Sequence, residues 1–338
     1  MSNIAVSILM PIKNEAKNIK NCLQQILNQT YDLSKLEVLV IDGNSEDNTL
    51  KLIEEFKTTS TNLKIKVLQD TKQQRSSGLN EGIKHATGDL ILRIDARAVI
   101  AEDYIARCVK TLLDTGADNV GGIQKPLAIE MNPTQLAIGY AMSHPFGVGN
   151  AQFRLGKKSG PVDSVYLGCF RRELFAKIGL FDDESPIISE DSDINYRIRR
   201  HGGTVYLDKD ILAYYIPREQ LSGLARLYFR YGGARAGFML KWKTYTGSRQ
   251  LIPPLFVATI LLLPLLFVFS PLWFYLWFFL LISYFCGDLL ASLSVVKKTK
   301  QWSLLLRLLL IFPTMHFSWA LGLWKRLLQG KNCNYWSY

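Results

Sequence analysis

Short apolar runs alternate with amphipathic segments along the amino-terminal third of this chain. Each segment between two runs carries apolar residues at the three- and four-residue spacing of a helix, so the pattern predicts repeated βαβ units around a parallel sheet. The runs are apolar at consecutive positions, which is typical of strands that helices cover on both faces. The four predicted strands are Val6–Met10, Leu36–Ile41, Ile65–Gln69 and Leu90–Asp95.

The pattern becomes less regular after the fourth strand. A helix begins within the acidic stretch Ser189-Glu190-Asp191-Ser192-Asp193 and ends before Gly202. Acidic side chains at a helix start are commonly capping residues, because the helix dipole favours negative charge there. Three acids within this stretch are less ordinary, so the helix start is also a candidate for chemistry. The other predicted elements are a helix over about 103–113, a strand over 118–124, an extended segment over 164–169 and a helix over 171–178.

The carboxyl-terminal part of the chain is strongly apolar. Nearly every residue between Leu251 and Leu293 is apolar, which is enough for two membrane spans of roughly 20 residues each, about 251–270 and 271–293. A third apolar run, about 302–324, contains Arg307. An arginine at the bilayer centre costs about 2.5–3.5 kcal/mol. Lys325, Arg326 and Lys331 beyond the run indicate a cytoplasmic end, so we expect the third run to be membrane-associated, re-entrant or interfacial. Because Arg307 lies near one end of the run and could reach the interface, a third span stays open.

These patterns predict three regions: an α/β domain over 1–217, juxtamembrane interfacial helices over 218–250, and a membrane domain over 251–338. The amino-terminal residues lack the basic region and the cleavage pattern of an export signal. We therefore expect a multi-pass protein of the cytoplasmic membrane whose α/β domain faces the cytoplasm.

The formal net charge of +11 indicates an acidic partner. Nucleic acid is not expected, because the chain shows no basic helix with interleaved aromatic residues and no nucleic-acid motif. Anionic lipid headgroups fit better, since lysines flank the two predicted spans and the positive-inside rule places both flanks in the cytoplasm. These lysines are Lys241, Lys243, Lys297, Lys298 and Lys300.

Carboxylates stand at the carboxyl ends of two of the predicted strands, at Asp42 and Asp95. Parallel sheets bind ligands at the carboxyl ends of their strands, although a simple turn role for either aspartate stays open. The turn Pro11–Glu15 after the first strand is not rich in glycine, and no phosphate-binding P-loop is present, so NAD and FAD are not expected. The five cysteines show no paired spacing, so neither a zinc site nor a disulfide framework is expected.

The two strand-end carboxylates and the acidic helix start suit one class of reaction. No Ser-His-Asp or Cys-His arrangement is evident in the sequence. One carboxylate would hold a metal-bound diphosphate as it leaves, and a separate carboxylate would deprotonate an incoming hydroxyl, because the two roles need different environments. This chemistry is glycosyl transfer from a nucleotide-sugar.

Four segments resemble, in order, the successive motifs of family 2 glycosyltransferases of the GT-A fold. The resemblance covers about 6–231 and implies a Rossmann-like, mostly parallel sheet with flanking helices, followed by transmembrane helices. Within the family, Asp95-Ala96-Arg97, His144-Pro145-Phe146-Gly147 and Phe170-Arg171-Arg172 are most similar to the succinoglycan-type exopolysaccharide glycosyltransferases. The four segments are Val6–Glu15, Val40–Thr49, Asn80–Asp89 and Ser189–Asp193.

The resemblance implies a metal-dependent transfer with inversion at the anomeric carbon. Asp191 would deprotonate the acceptor beside Glu190, its neighbour in the Glu-Asp motif, and Asp95 would hold Mg²⁺ or Mn²⁺ against the diphosphate. Arg97 stands where the family usually has a second aspartate, and we hypothesise that it contacts the diphosphate directly.

Further residue roles follow from the same resemblance. Asp42 would bind the uracil or ribose end of the donor, and Arg75 with Asn80 would line the donor pocket. The full set expected along the donor is Pro11, Asn14, Glu15, Asp42, Arg75, Asn80, Asp95 and Arg97. The set expected at the acceptor or its diphosphate is Asp193, Arg230 and Arg235.

The expected donor is a UDP-sugar, and the expected acceptor is a hydroxyl of a polyprenyl-diphosphate-linked glycan at the membrane. The Gln-X-X-Arg-Trp motif of processive synthases is missing, and Tyr228–Gly233 occupies that region, so a single addition is expected. Two alternatives stay open. One is a polyprenyl-phosphate monosaccharide synthase, which does not strictly require a hydroxyl base, and the other is a catalytically inactive membrane scaffold, suggested by the incomplete metal motif. The sequence does not predict the sugar, the linkage or the oligomeric state.

Overall fold

The computed structural model of this chain describes residues 4–127, 131–183, 190–244 and 250–330. Its strands are β1 (Val6–Ile12), β2 (Leu36–Asp42), β3 (Lys64–Gln69), β4 (Leu90–Arg93), β5 (Val99–Ile100), β6 (Asn119–Pro126), β7 (Gly160–Pro161), β8 (Tyr166–Arg171) and β9 (Val205–Tyr215). Its α-helices are α1 (Ile19–Leu27), α2 (Thr49–Thr59), α3 (Arg75–His85), α4 (Tyr104–Thr115), α5 (Pro133–Ala141), α6 (Pro145–Val148), α7 (Gln152–Leu155), α8 (Leu174–Ile178), α9 (Glu190–Arg200), α10 (Leu221–Trp242), α11 (Ile252–Leu262), α12 (Pro271–Thr299) and α13 (Leu305–Gln329).

The chain forms two compact units. Unit 1 contains the described residues up to Lys125 together with Gly156–Ile216. Unit 2 contains the described residues of Pro126–Leu155 and those from Pro217 onward. The helices α5, α6 and α7 therefore belong to unit 2. The predicted division into 1–217, 218–250 and 251–338 stays a prediction. Residues 331–338 of the predicted membrane domain lie outside the described part of the chain.

Unit 1 is built on a mixed sheet whose strand order is β3-β2-β1-β4-β8-β6-β9-β5, with β7 beside β9. The strands β1 to β4 are parallel to one another, as the alternating pattern predicted, and β8 pairs with β4 in the antiparallel direction. After β3 the chain crosses to the far side of β1 to form β4. This reversal creates a switch point at the carboxyl ends of β1 and β4, which is where open α/β sheets bind ligands.

Helices cover both faces of β1, which explains its continuous apolar pattern. Ile8 and Met10 belong to a core that includes Leu23 of α1. On the other face, α3 approaches so closely that a Cβ atom at Gly82 would lie 2.8 Å from Cδ2 of Leu9. The predicted α/β class is confirmed.

Unit 2 is helical, and two of its helices have the length and composition of membrane spans. The apolar helices Pro271–Thr299 and Trp302–Gln329, the latter including a 3-10 turn before α13, contain 29 and 28 residues. At 1.5 Å per residue each exceeds the roughly 30 Å hydrocarbon core of a bilayer. The first apolar run forms only the 11 residues of α11 and a 4-residue 3-10 turn. By helix length the second and third runs, rather than the first and second, are therefore the candidate spans, because the chain leaves the α-helical conformation next to Pro264.

The helix pair α10 and α13 packs at close range through two glycines. A methyl group at Gly232 would overlap the carbonyl oxygen of Trp319, and one at Gly322 would overlap that of Phe229. Only a residue without a side chain fits at either position, because the two backbones touch there.

The inserted helices of unit 2 are also fastened to the apolar helices. Nε2 of His316 on α13 lies 2.8 Å from the carbonyl oxygen of Phe146, and Nε2 of His144 lies 3.0 Å from Oγ of Ser294 on α12. The stretch around His144-Pro145-Phe146-Gly147 is therefore part of the helical unit.

Candidate active site

A buried arginine stands at the end of β4. Arg93 is the last residue of the strand and only 3% exposed. Its Nε donates to Oδ1 of Asp95 at 2.8 Å, and its Nη2 donates to Oδ2 at 3.2 Å. Asp95 thus lies where the sequence predicted, but both of its oxygens contact a residue that sequence reasoning missed. The available signal was an arginine inside an apolar strand, since such a charge is rarely buried without a partner.

The first turn of α9 brings two more carboxylates to the same guanidinium. Nη1 of Arg93 donates to Oδ1 of Asp191 at 2.7 Å and lies 3.0 Å from Oε1 of Glu190. Nη1 of Arg75, at the start of α3, lies 3.5 Å from the same Glu190 oxygen. Arg75, Arg93, Asp95, Glu190 and Asp191 are together called the charged cluster below. Ser189, the first residue of the predicted acidic motif, lies outside the described residues.

The two aspartates of the charged cluster have opposite pKa shifts. Burial pushes the pKa of Asp95 upward, but the charges of Arg93 and Arg75 outweigh it and hold that pKa below its usual value. Burial also raises the pKa of Asp191, and the carboxylates of Glu190 and Asp95 add to the rise against the opposing effect of Arg93, giving a pKa of about 6. Asp95 therefore stays ionised, whereas Asp191 is suited to exchanging a proton near neutral pH.

Arg97 lies beside the charged cluster and pairs with a different carboxylate. Its Nε donates to both carboxylate oxygens of Glu15, at 2.7 and 3.0 Å. The Arg97 side chain is 65% exposed. The residue is close enough to Asp95 to contribute to lowering that pKa, after Arg93 and Arg75. The hypothesised contact with a diphosphate stays a prediction.

Four of the residues predicted along the donor meet at the carboxyl ends of β1 and β2. Pro11 pairs in register with Ile41, the residue before Asp42. The backbone N–H of Ser45 donates to both oxygens of Asp42, which is only 1% exposed. Asn14 adopts a positive φ of 54°, and its Oδ1 accepts a 2.8 Å hydrogen bond from the backbone of Glu46. Pro11, Asn14, Glu15 and Asp42 therefore belong to one edge of the sheet.

A second buried aspartate at this edge was not predicted. Asp70 directly follows β3, whereas Asp42 is the last residue of β2, and the backbone N–H of Asp70 donates to the Asp42 carbonyl at 2.8 Å. Its carboxylate accepts from the N–H of Gln74 at 2.8 Å and from Oγ of Ser77 at 2.7 Å. Asp70 thus organises the first turn of α3 and positions Arg75. Its place after a strand was the available signal.

Two predicted substrate contacts instead bind the protein itself. Nδ2 of Asn80 donates to the carbonyl of Phe181 at 2.8 Å, and its Oδ1 accepts from the N–H of Phe181 at 2.9 Å. Oδ2 of Asp193 accepts from Nε of Arg197 at 3.0 Å, while Arg197 donates to the carbonyls of residues 178–180. The structure places both side chains outside the charged cluster, where they hold the segment before α9. Their assigned substrate roles stay predictions.

The two arginines predicted at the acceptor belong to the other unit. Arg230 and Arg235 lie on α10 in unit 2, and Arg235 stacks over the ring of Phe238 at 5.3 Å. Their contact with an acceptor stays a prediction.

A divalent metal fits this site if the protein and a bound diphosphate both coordinate it, rather than protein side chains alone. Within the described ranges, no group of three or more His, Cys, Asp or Glu side chains is arranged to hold a metal ion. The Asp95 side chain is 24% exposed, and each of its oxygens keeps a second lone pair beyond its contact with Arg93. Mg²⁺ commonly binds through one or two carboxylates together with substrate phosphates. Asp95 therefore suits a metal that arrives with a diphosphate.

The chain matches one sequence family and is similar in sequence to two known proteins. Residues 7–179 match the sequence family described as Glycosyl transferase family 2. The chain is 29% identical over 249 residues to the succinoglycan biosynthesis protein ExoA of Rhizobium meliloti, covering 73% of each chain. It is 25% identical over 332 residues to the dolichyl N-acetyl-alpha-D-glucosaminyl phosphate 3-beta-D-2,3-diacetamido-2,3-dideoxy-beta-D-glucuronosyltransferase of Methanococcus voltae, covering 97% of this chain and 98% of that one.

A solved structure supports the fold over nearly the whole length. The mannosyltransferase PcManGT from Pyrobaculum calidifontis, determined with GDP-Man and Mn²⁺, superposes with a TM-score of 0.64 over 97% of this chain and 88% of that chain. The sequence identity is 20%. The architecture is therefore GT-A-like.

Proposed function

Because this chain belongs to glycosyl transferase family 2, we propose that it transfers one sugar from a nucleotide-diphosphate sugar to a hydroxyl of a lipid-linked glycan. The expected donor is a UDP-sugar, and the expected acceptor carries a polyprenyl diphosphate. The transfer inverts the anomeric carbon in a single displacement.

One observation carries the proposal: the charged cluster joins two carboxylates with opposite protonation behaviour at the switch point of the sheet. The lowered pKa of Asp95 suits the donor diphosphate side, where a permanent charge is needed. The raised pKa of Asp191, about 6, suits the acceptor side, where a proton is taken up. The Asp191 side chain is 33% exposed, so an acceptor hydroxyl can approach it.

The residues then divide the reaction between them. The strand-end loops that contain Pro11, Asn14 and Asp42 bind the nucleoside, and Arg97 with Arg75 neutralises phosphate charge. Asp191 accepts the proton of the acceptor hydroxyl as that oxygen attacks the anomeric carbon. A Mg²⁺ or Mn²⁺ ion held by Asp95 would supply positive charge to the departing diphosphate.

The apolar helices support a membrane-bound acceptor. α12 and α13 are long enough to cross a bilayer, and Lys297 and Lys298 lie in the last turn of α12. The names of the two sequence relatives refer to succinoglycan biosynthesis and to a dolichyl sugar phosphate. We accordingly place the reaction at the cytoplasmic face of the membrane, in polysaccharide or glycoconjugate assembly, with Arg230 and Arg235 near the acceptor diphosphate.

Release of nucleoside diphosphate tests this function. The purified full chain in lipid nanodiscs is incubated with a panel of UDP-, GDP- and TDP-sugars, with and without polyprenyl-diphosphate-linked sugar acceptors. The expected result is release from one donor that increases when acceptor is added, together with a glycolipid larger by one sugar. Failure of every donor to give transfer or hydrolysis would exclude the proposed activity and favour the inactive scaffold.

A further inference from the structure

Arg93, the last residue of β4, differs in what it binds from Arg171, the last residue of the neighbouring strand β8. The guanidinium of Arg171 on β8 donates to backbone carbonyls, those of Ala117 at 3.2 Å and Leu112 at 3.3 Å. The guanidinium of Arg93 contacts the carboxylates of Asp95, Glu190 and Asp191. Arg171 therefore ties chain segments together, whereas Arg93 ties together side chains to which the reaction assigns roles.

The nitrogens of the Arg93 guanidinium contact two different parts of the chain, the end of β4 and the first turn of α9. Nε and Nη2 face Asp95, just beyond β4, and Nη1 faces Asp191 and Glu190 at the start of α9. A guanidinium is planar and rigid, so occupying both sides of it fixes the distance and the angle between the two partners. Because Arg93 is buried at the end of β4, the sheet holds its guanidinium in one position.

Neither of the other nearby arginines provides this link. Arg97 is largely exposed and binds Glu15, and Arg75 reaches Glu190 only at 3.5 Å with a side chain that is half exposed. Without Arg93, the carboxylates of Asp95, Glu190 and Asp191 would also repel one another, which would move the first turn of α9 away from β4.

We propose that Arg93 is a positioning residue that fixes the separation and relative orientation of Asp95 and Asp191 during sugar transfer. This inference rests on the proposed function. An ammonium group cannot replace the fork, because a lysine offers one point charge in place of two opposed hydrogen-bonding edges. A positive charge at position 93 is therefore not enough to fix the two aspartates; the planar guanidinium is required.

The test compares Arg93→Lys and Arg93→Met with Arg171→Lys, the matched control of a partly buried strand arginine outside the charged cluster. A misplacement of about 1 Å costs on the order of 100-fold in rate. We expect Arg93→Lys to lose about 100-fold in kcat with a much smaller change in donor KM, while its unfolding temperature stays near that of Arg171→Lys. A merely structural arginine would give equal losses of unfolding temperature, donor binding and rate in both lysine variants.

The pH profile gives a second readout. In Arg93→Met the acidic limb of kcat/KM should move to higher pH, because no guanidinium at that position opposes protonation of Asp191. Among the described residues, the other charged groups that shift the pKa of Asp191 are Glu190 on α9, Asp95 beyond β4 and Arg75 on α3. Wild-type kcat in Arg93→Lys, or an unmoved limb in Arg93→Met, would overturn the proposal.

A crystal structure of Arg93→Lys separates this inference from the proposed function. The expected result is a changed distance between the Asp95 and Asp191 carboxylates, with the sheet unchanged. An unchanged distance overturns the positioning role even if the enzyme is active. Inactivity of the wild type towards every donor, by contrast, would refute the function and leave the measured distance to decide the role of Arg93.

Discussion

Nη1 of Arg93 donates a 2.7 Å hydrogen bond to Oδ1 of Asp191, although 98 positions separate the two residues along the chain. The bond joins the end of a central strand to the first turn of a helix that follows much later. It therefore makes the protonation of Asp191 depend on a charge buried in the sheet.

Removing the carboxylate of Asp191 tests its role as base. We expect Asp191→Asn to lower kcat by about 10²- to 10⁴-fold with little change in donor KM, since a general base contributes a factor of that size. Steady-state kinetics with a lipid-linked acceptor measures both constants. Retention of most of the activity would instead favour a polyprenyl-phosphate monosaccharide synthase, whose acceptor phosphate needs no such base.

The acidic limb of the pH profile reports the same group. Asp191 acts as a base only when ionised, so kcat/KM should be maximal above its pKa of about 6 and should fall as the pH drops through that value. Assays across the acidic range measure the limb. Enzyme preincubated at each pH and then assayed at neutral pH serves as the control for irreversible inactivation. A limb centred near the ordinary aspartate pKa would contradict the assignment.

Metal dependence tests Asp95. Treatment with a chelator should abolish transfer, and Mg²⁺ or Mn²⁺ should restore it. In Asp95→Asn we expect a loss of about 100-fold or more and a higher metal concentration at half-maximal rate, because the variant lacks a charged ligand. Asp103→Asn, which removes an exposed carboxylate paired with Arg107 on α4, is the control. Equal metal curves for wild type and Asp95→Asn would contradict the prediction.

Arg97 tests whether a cation replaces the second aspartate of the metal motif. A charge-assisted hydrogen bond to the diphosphate contributes about 1.5–3 kcal/mol, so Arg97→Ala should lose about 10- to 100-fold in kcat/KM. Rates measured over a Mg²⁺ titration should also show a stronger metal requirement. Arg107→Ala, which breaks an exposed ion pair elsewhere in unit 1, should leave both unchanged. Unchanged rate and metal dependence in Arg97→Ala would show that its ion pair with Glu15 is merely structural.

The packing of α10 on α13 predicts a difference between adjacent glycines. Gly232→Ala would force a methyl group into the backbone of Trp319, and overpacking of this kind costs about 1–3 kcal/mol. A Cβ at Gly233 meets its nearest neighbour, the Gly322 carbonyl oxygen, at an ordinary 3.6 Å. Thermal unfolding in detergent should show a lower midpoint for Gly232→Ala and no loss for Gly233→Ala, and equal midpoints would refute the close contact.

The strands and their terminal carboxylates were predictable from local pattern. Consecutive apolar residues identified β1, β2 and β4, and the rule that ligands bind at strand ends selected Asp42 and Asp95. Arg93 was not predictable in this way, because its partner on α9 is close only in the folded chain. Asn80 illustrates the opposite case: its motif indicated a donor contact, but the direction of its amide, towards the backbone of Phe181, is set by packing that one sequence does not reveal.

The lengths of the apolar helices in unit 2 were likewise only partly predictable from the sequence. Apolar composition located the apolar segments but did not reveal that the first run would leave the α-helical conformation near Pro264, or that Trp302–Gln329 would continue as one long helix through Pro313. Proline effects depend on whether neighbouring groups satisfy the freed backbone, which is a tertiary property.

Because Pro126–Leu155 belongs to unit 2, unit 1 cannot be isolated by a single truncation of the chain. Ile138 and Ala141 of α5 are fully buried, and α5 packs against α13. A fragment that ends at Ile216 would therefore retain these apolar residues after losing the helix that covers them, and it would tend to aggregate. A soluble fragment also needs Pro126–Leu155 to be removed, with a short glycine-serine linker joining Lys125 to Gly156.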